Sequence, residues 1–240
     1  MTSLIFTDIE IKYEISMSNK AKKLRITVKN GNVTVTVPRG VSHEQARQFV
    51  ETKRDWIKKH VQRHSTQSQA PKRKYAGGEK FPYMGRPLDL ITESTLARKV
   101  EISIDGDTIK VLIPTFLEKE KWSEIVKQSL ILWYKNQARV IFKEKLDYFS
   151  KIMGVEYKGF RVKDQKTRWG SCSSRKNINL NWKVILAPVK AIDYVIVHEL
   201  AHLTYMNHSK EFWQLVAMYV PDYELQKLWL KQNGKFLTIE

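Results

Sequence analysis

The stretch His198-Glu199-Leu200-Ala201-His202-Leu203-Thr204-Tyr205-Met206-Asn207-His208 holds two histidines four residues apart, an acid directly after the first, and a third histidine six residues after the second. On an α-helix each residue advances about 100°, so His198 and His202 lie within about 40° of each other, one turn apart. Two imidazoles on one face can share a metal ion. Glu199 lies about 100° round from His198 and about 60° from His202, so it can flank a metal without ligating it and accept a proton from water. A straight helix cannot wrap round an ion, so a third ligand must come from beyond it. His208 is the best candidate, with Glu211 and Glu224 as alternative oxygen ligands. Its use requires the helix to end near residue 205. Asn207 suits the turn, because Asn tolerates the left-handed conformation, and Ser209 suits the cap of a new helix beginning Lys210-Glu211-Phe212.

Working outward, Val189 to Tyr205 reads as one helix whose Ile192, Ile196, Leu200 and Leu203 form an apolar stripe. The two histidines fall off that stripe. The pattern predicts one zinc ion per chain, with His198, His202 and His208 as ligands, an open fourth position, and Glu199 as general base. The competing reading is an amphipathic helix with solvated or core histidines.

Length and composition bound the rest. A chain of 240 residues suits one large domain or two small ones, and 42% apolar content indicates a globular protein. No apolar run is long enough for a membrane span, and the first ten residues contain acids rather than the basic start of a signal peptide. The single cysteine, Cys172, excludes an internal disulfide and points to the reducing cytoplasm. Net charge is +17 and uneven: residues 1–80 carry 17 basic against 7 acidic side chains. That bias favours contact between the N-terminal third and nucleic acid or another polyanion, although charge alone carries no specificity.

In chain order, residues 4–15 read as extended, and 24–28 and 33–37 alternate as two strands joined at Asn30-Gly31. Ser42 caps a long helix to about His64, and residues 65–74 read as a polar linker. Residues 77–91 suggest another hairpin with Gly85 near its turn. Val100–Ile104 and Thr108–Ile113 form a further pair through Asp105-Gly106-Asp107, and a helix is expected from about Leu117 to Lys151. The series turn, strand, Pro38, helix recurs as turn, strand, Pro114, helix at an offset of 75 or 76, either a duplication or only a common unit. A strand at 157–163, a polar loop at 164–176 around Trp169, and a strictly alternating strand at 177–182 follow, and Pro188 opens the histidine helix. Leu225, Leu228 and Leu230 of a last helix are expected to pack inward. The fold class is therefore α+β, with a basic hairpin-and-helix region at 1–75 and a second region at 76–240 whose core is about 117–240.

Thr167-Arg168-Trp169-Gly170-Ser171-Cys172, Asn179-Leu180-Asn181-Trp182, His198-Glu199-Leu200-Ala201-His202, and Asn207-His208-Ser209 with Phe212-Trp213 closely resemble the YgjP-like metallopeptidases, relatives of the SprT and WLM zinc proteases. The resemblance implies a zincin-type core, peptide or protein substrates, zinc on His198, His202 and His208, and Glu199 as base. Relatives in the SprT and WLM groups cleave DNA-bound proteins, which the basic charge would suit. Tyr205 stands where metzincins carry a glycine, which leaves the turn to Asn207. Two other functions compete: a nucleotide (UTP) pyrophosphatase at the same site, also assigned to YgjP-like proteins, and a non-catalytic nucleic-acid-binding protein. Against the first, such chemistry usually uses Mg²⁺ held by carboxylates; against the second stands the intact Glu199.

The 164–182 region supplies the substrate-side expectations. Arg168 could bind a substrate carboxylate or phosphate as a fork, or tie the loop to a core carboxylate. Trp169 reads as a packing anchor, Gly170 as a turn residue, and Cys172 as either a small buried residue or a latent thiolate ligand. The 177–182 strand could be an edge that pairs with an extended peptide, with Asn179 and Asn181 on one face, or an ordinary sheet strand.

Overall fold

The computed structural model describes residues 2–5, 10–29, 31–68 and 73–239, and the chain divides into two compact units, Met1–Lys72 and Arg73–Glu240. In the first unit, β1 (Thr2–Ile5), β2 (Glu10–Ser18), β3 (Arg25–Lys29) and β4 (Asn32–Pro38) form a sheet in the order β1-β2-β4-β3. The 24–28 and 33–37 segments pair antiparallel as their alternation predicts. Asn30 lies outside the described residues, and Gly31 beside it takes a φ of +80°. Val33, Val35 and Val37 alternate onto one face and pack with Ile11, Tyr13, Ala46, Val50 and Ile57.

The helix expected over 42–64 is two helices, α1 (His43–Thr52) and α2 (Arg54–Ser68). Ser42 caps α1 in a reciprocal box with Gln45. The break follows from Thr52, whose hydroxyl donates to the Phe49 carbonyl, while the Lys53 N–H turns to Val50, three residues back. Residues 65–68 are therefore helical rather than linker, and 69–72 lie outside the described residues.

The second unit opens with β5 (Lys80–Tyr83), β6 (Arg86–Thr95), β7 (Glu101–Asp105) and β8 (Thr108–Pro114), in the order β5-β6-β8-β7. This repeats the wiring of the first sheet: an antiparallel pair, a parallel pair, an antiparallel pair. The partners Arg25↔Thr36 and Lys29↔Asn32 recur as Glu101↔Leu112 and Asp105↔Thr108, each displaced by 76 residues. The echo in the sequence is an echo of structure.

After β8, α3 (Trp122–Met153) begins five residues later than expected, behind a short 3-10 turn at Lys119–Lys121. Its stripe Val126, Leu130, Tyr134, Ala138, Phe142, Leu146 and Phe149 is buried. Gly154, at a φ of +64°, closes it in the left-handed conformation. Next, β9 (Gly159–Lys163), β10 (Gly170–Cys172) and β11 (Asn177–Asn181) form a three-stranded sheet in the order β10-β11-β9, with β9 parallel and β10 antiparallel to β11. Three helices complete the unit: α4 (Val189–Ala201), α5 (Lys210–Tyr219) and α6 (Tyr223–Asn233). On α6 only Leu230 is buried; Leu225 and Leu228 are exposed, because the helix lays a narrow stripe on the core. No helix among the described residues is long and apolar enough to cross a membrane.

The sheet of β5–β8 also positions α4. The two-residue turn Met84-Gly85 between β5 and β6 has both φ values positive, at 51° and 80°. A Cβ on Gly85 would lie 2.7 Å from Cα of Pro188, the residue that caps α4, and the Met84 N–H donates to the Ile185 carbonyl at 2.8 Å. From the other side, Lys145 of α3 pairs with Asp193 of α4.

Candidate metal centre

His198 and Glu199 sit in the last turn of α4, and Ala191, Ile192, Val195, Ile196 and Leu200 bury the rest of that helix in the core. The helix ends at Ala201, four residues earlier than its sequence period suggests, and His202 is its C-cap. The chain turns by tightening: Leu203 and Thr204 donate to the carbonyls three residues back, Leu200 and Ala201. Neither a glycine nor a left-handed Asn207 is involved; among the described residues the positive-φ positions other than glycine are Tyr75, Met84 and Lys176. Ser209 then caps α5, accepting from the Phe212 N–H.

This turn carries His208 back over α4. Nitrogens of His198, His202 and His208 lie within 4.8 Å of one another. Nε2 of His198 faces Nε2 of His208 at 3.1 Å. Two neutral imidazole lone pairs repel at that separation unless a proton or a cation lies between them, so the donor set fits a metal ion. Nδ1 of His202 faces the Tyr205 carbonyl oxygen at 3.1 Å. That oxygen only accepts, so Nδ1 carries the proton and Nε2 keeps its lone pair. His198 differs, since its Nδ1 is buried with no partner among the described residues. Burial lowers the His198 pKa to about 3, with His202, His208 and Lys227 adding to the effect, and burial first of all lowers that of His202. Both rings are therefore neutral, the form a metal binds.

Glu199 is 5% exposed, and its Oε2 has no partner among the described residues. Burial raises its pKa to about 8, against the opposing charge of Arg168. The carboxylate reaches its place because Gly170 has no side chain: a Cβ there would lie 2.5 Å from Glu199 Oε1. Gly170 is the first residue of β10, and close approach rather than a turn explains it. Phe212 packs its ring 4.6 to 5.0 Å from all three imidazoles, and Trp213 stacks on His208 at 5.5 Å and on Tyr223 at 5.1 Å.

Of the substrate-side residues, Asn181 is committed to the fold. It is 2% exposed; its Nδ2 donates to the carbonyls of Gln165 and Arg168, and its Oδ1 accepts from the Lys183 N–H. Asn179 donates to Ser171 Oγ across the β10–β11 pair. The proposed pairing edge at 177–182 is corrected, because β11 is the central strand and both its flanks are already bonded. The edge on the metal side is β10. Cys172 is outside the three-histidine group, and burial and the charge of Glu199 raise its pKa to about 11, which leaves it a thiol. Glu211 is also outside that group; its carboxylate accepts from Ser209. Tyr194 escaped the sequence reading. It lies four residues before His198 on the same helix face, its ring 5.8 Å from that imidazole, and the spacing Tyr194-His198-His202 could have revealed it.

A buried acid beside converging imidazoles is an arrangement found among metal-dependent hydrolases. The family model for the YgjP-like metallopeptidase domain matches residues 22–233. The chain belongs to the YgjP-like family of metallopeptidases. Among solved structures it is similar to the metallopeptidase zymogen abylysin of Pyrococcus abyssi, at 23% identity and a TM-score of 0.33, over 38% of this chain and 93% of that one. It is similar also to the metallopeptidase zymogen jannalysin of Methanocaldococcus jannaschii, at 24% identity and a TM-score of 0.35, over 40% and 96%. Among curated proteins, none matches.

Proposed function

We propose that this protein hydrolyses peptide bonds as a zinc-dependent, zincin-type peptidase, with His198, His202 and His208 holding the metal and Glu199 serving as general base. One observation carries the reading: three imidazoles converge to within 4.8 Å beside a buried carboxylate, one oxygen of which has no partner among the described residues. Three nitrogen donors with an open position suit zinc better than magnesium or calcium, which take oxygen ligands. Zinc supplies Lewis acidity, which acidifies water and polarises a carbonyl. The chain's own residues do the rest. Glu199, held against Gly170 and kept from bulk water, takes the proton of the attacking water and returns it to the leaving amine. The exposed flank of β10 is where the backbone of an extended substrate would pair.

The single thiol fits a cytoplasmic setting. The lysines of the first unit, with Lys53, Lys58 and Lys59 at the α1–α2 junction and along α2, extend the reading to proteins bound to nucleic acid. The test is elemental analysis of protein purified without added metal, beside His202→Ala and His208→Ala. About one zinc per chain is expected, lost in both variants. A wild-type protein that neither carries nor takes up zinc would end the proposal.

A further inference from the structure

We infer that the cleft between the 164–169 loop and the C-terminal segment 234–238 is a carboxylate-binding subsite that selects peptides with an acidic residue close to the cleaved bond. The inference rests on the peptidase reading above. The cleft has a volume of about 370 Å³, and four cations line it: Lys166, Arg168, Lys183 and Lys235. Among the described residues no acidic side chain does. Asp164 lies next to it in sequence and faces Lys183 at 3.5 Å and Lys135 at 4.0 Å. Lys166 and Arg168 are exposed and have no ion pair among the described residues.

Both walls are fixed before any ligand arrives. Asn181 pins the loop from beneath through the Gln165 and Arg168 carbonyls, and its backbone N–H donates to the Trp169 carbonyl at 2.8 Å. On the other wall Gly234 lets the Trp169 indole come close: a Cβ there would lie 2.5 Å from Cζ2. A site held this way loses little entropy when it binds.

The chemistry selects a peptide carboxylate. Arg168 offers a planar fork that fits a carboxylate with two bonds, and the lysines add point charges. An acidic residue in a peptide brings the anion that these cations fit. The cleft is also near the reaction. Arg168 is two residues before Gly170, against which Glu199 rests. An extended substrate advances about 3.3 Å per residue, so a side chain one or two residues from the cleaved bond is within reach.

The test uses full-length, zinc-loaded protein and peptide pairs that differ only by Glu or Gln at single positions flanking the cleaved bond. At one position the Glu peptide should show a kcat/KM about tenfold higher, through KM, the factor of one charge-assisted contact. Arg168→Ala and Lys235→Glu should each bring that ratio to near one. The binding of fluorescent Glu and Gln peptides to Glu199→Gln protein, with and without Arg168→Ala, gives a second readout. Cleavage without any Glu preference, or a preference unchanged in both variants, overturns the subsite. Equal binding of both peptides, with inorganic phosphate displacing either, also overturns it. No cleavage of any peptide, with Glu-selective binding that Arg168→Ala abolishes, supports the subsite and overturns the peptidase reading instead.

Discussion

The sheet of the first unit and the first sheet of the second have the same strand order and the same sequence of antiparallel and parallel pairs, yet they lead to different things. After β4 the chain enters α1 and α2, and the buried side chains described in that unit are aliphatic apart from Tyr13. After β8 it enters the 32-residue α3, then a second sheet and the helices around His198, His202 and His208. Among the described residues the buried polar side chains, Asn181 and Glu199, are both in the second unit. Burying such groups costs stability unless they are paired, and a core that keeps one unpaired is a core built for something else. On the function proposed above, the repeated wiring is scaffolding, and the chemistry belongs to the segment that follows its second occurrence.

Four experiments can break or sharpen this contrast. Glu199→Gln should lower peptide turnover by about 1000-fold or more while zinc content stays at the wild-type level, since a general base contributes roughly 10² to 10⁴. Turnover retained in that variant would separate the buried acid from the reaction. Gly170→Ala places a Cβ where Glu199 Oε1 now lies and should lower kcat on the order of 100-fold, with an unchanged circular dichroism spectrum. Wild-type kcat there would mean that the carboxylate's position is not critical. Ile57→Ala, at a fully buried position of the first unit, should cost about 2–5 kcal/mol. Followed by calorimetry, it should lower one melting transition and leave kcat/KM for a short peptide unaltered. Removal of residues 1–72 is expected to have the smallest effect on that same kcat/KM, about twofold, because each unit has its own apolar core. It should, however, abolish retardation of single-stranded DNA in a gel. A hundredfold loss of hydrolysis would show that the two copies do not divide labour as the sheets suggest.

Legibility in the sequence followed the range of the interactions. Strands with strict alternation were readable, among them β3, β4 and β11, as were the α1 cap at Ser42 and the α5 cap at Ser209, because each is decided within a few residues. The repeat was readable from turn and proline positions, although the shared sheet order was not. The spacing of the three histidines anticipated their convergence, whereas the way the chain turns was misjudged. Periodicity continues past Ala201 to Leu203, but the backbone bonds tighten there and the His202 ring turns to Tyr205, a competition no hydrophobic pattern records. Gly170, Tyr194 and the commitment of Asn181 depended on neighbours far along the chain. A polar loop and an alternating strand look the same whether an asparagine faces a substrate or fastens a loop from beneath.

The contact of Gly85 with Pro188 bears on how this chain can change over time. The tip of a hairpin more than a hundred residues upstream rests on the cap of the helix that presents His198 and Glu199. Any side chain at position 85 has to push against backbone, and the nearest thing free to yield is the start of that helix. The sheet of β5–β8 therefore cannot drift as an ornamental appendage does. Its tightest turn and the N-cap of α4 form a hinge pin, and mutations at the two ends should be tolerated only in matched pairs.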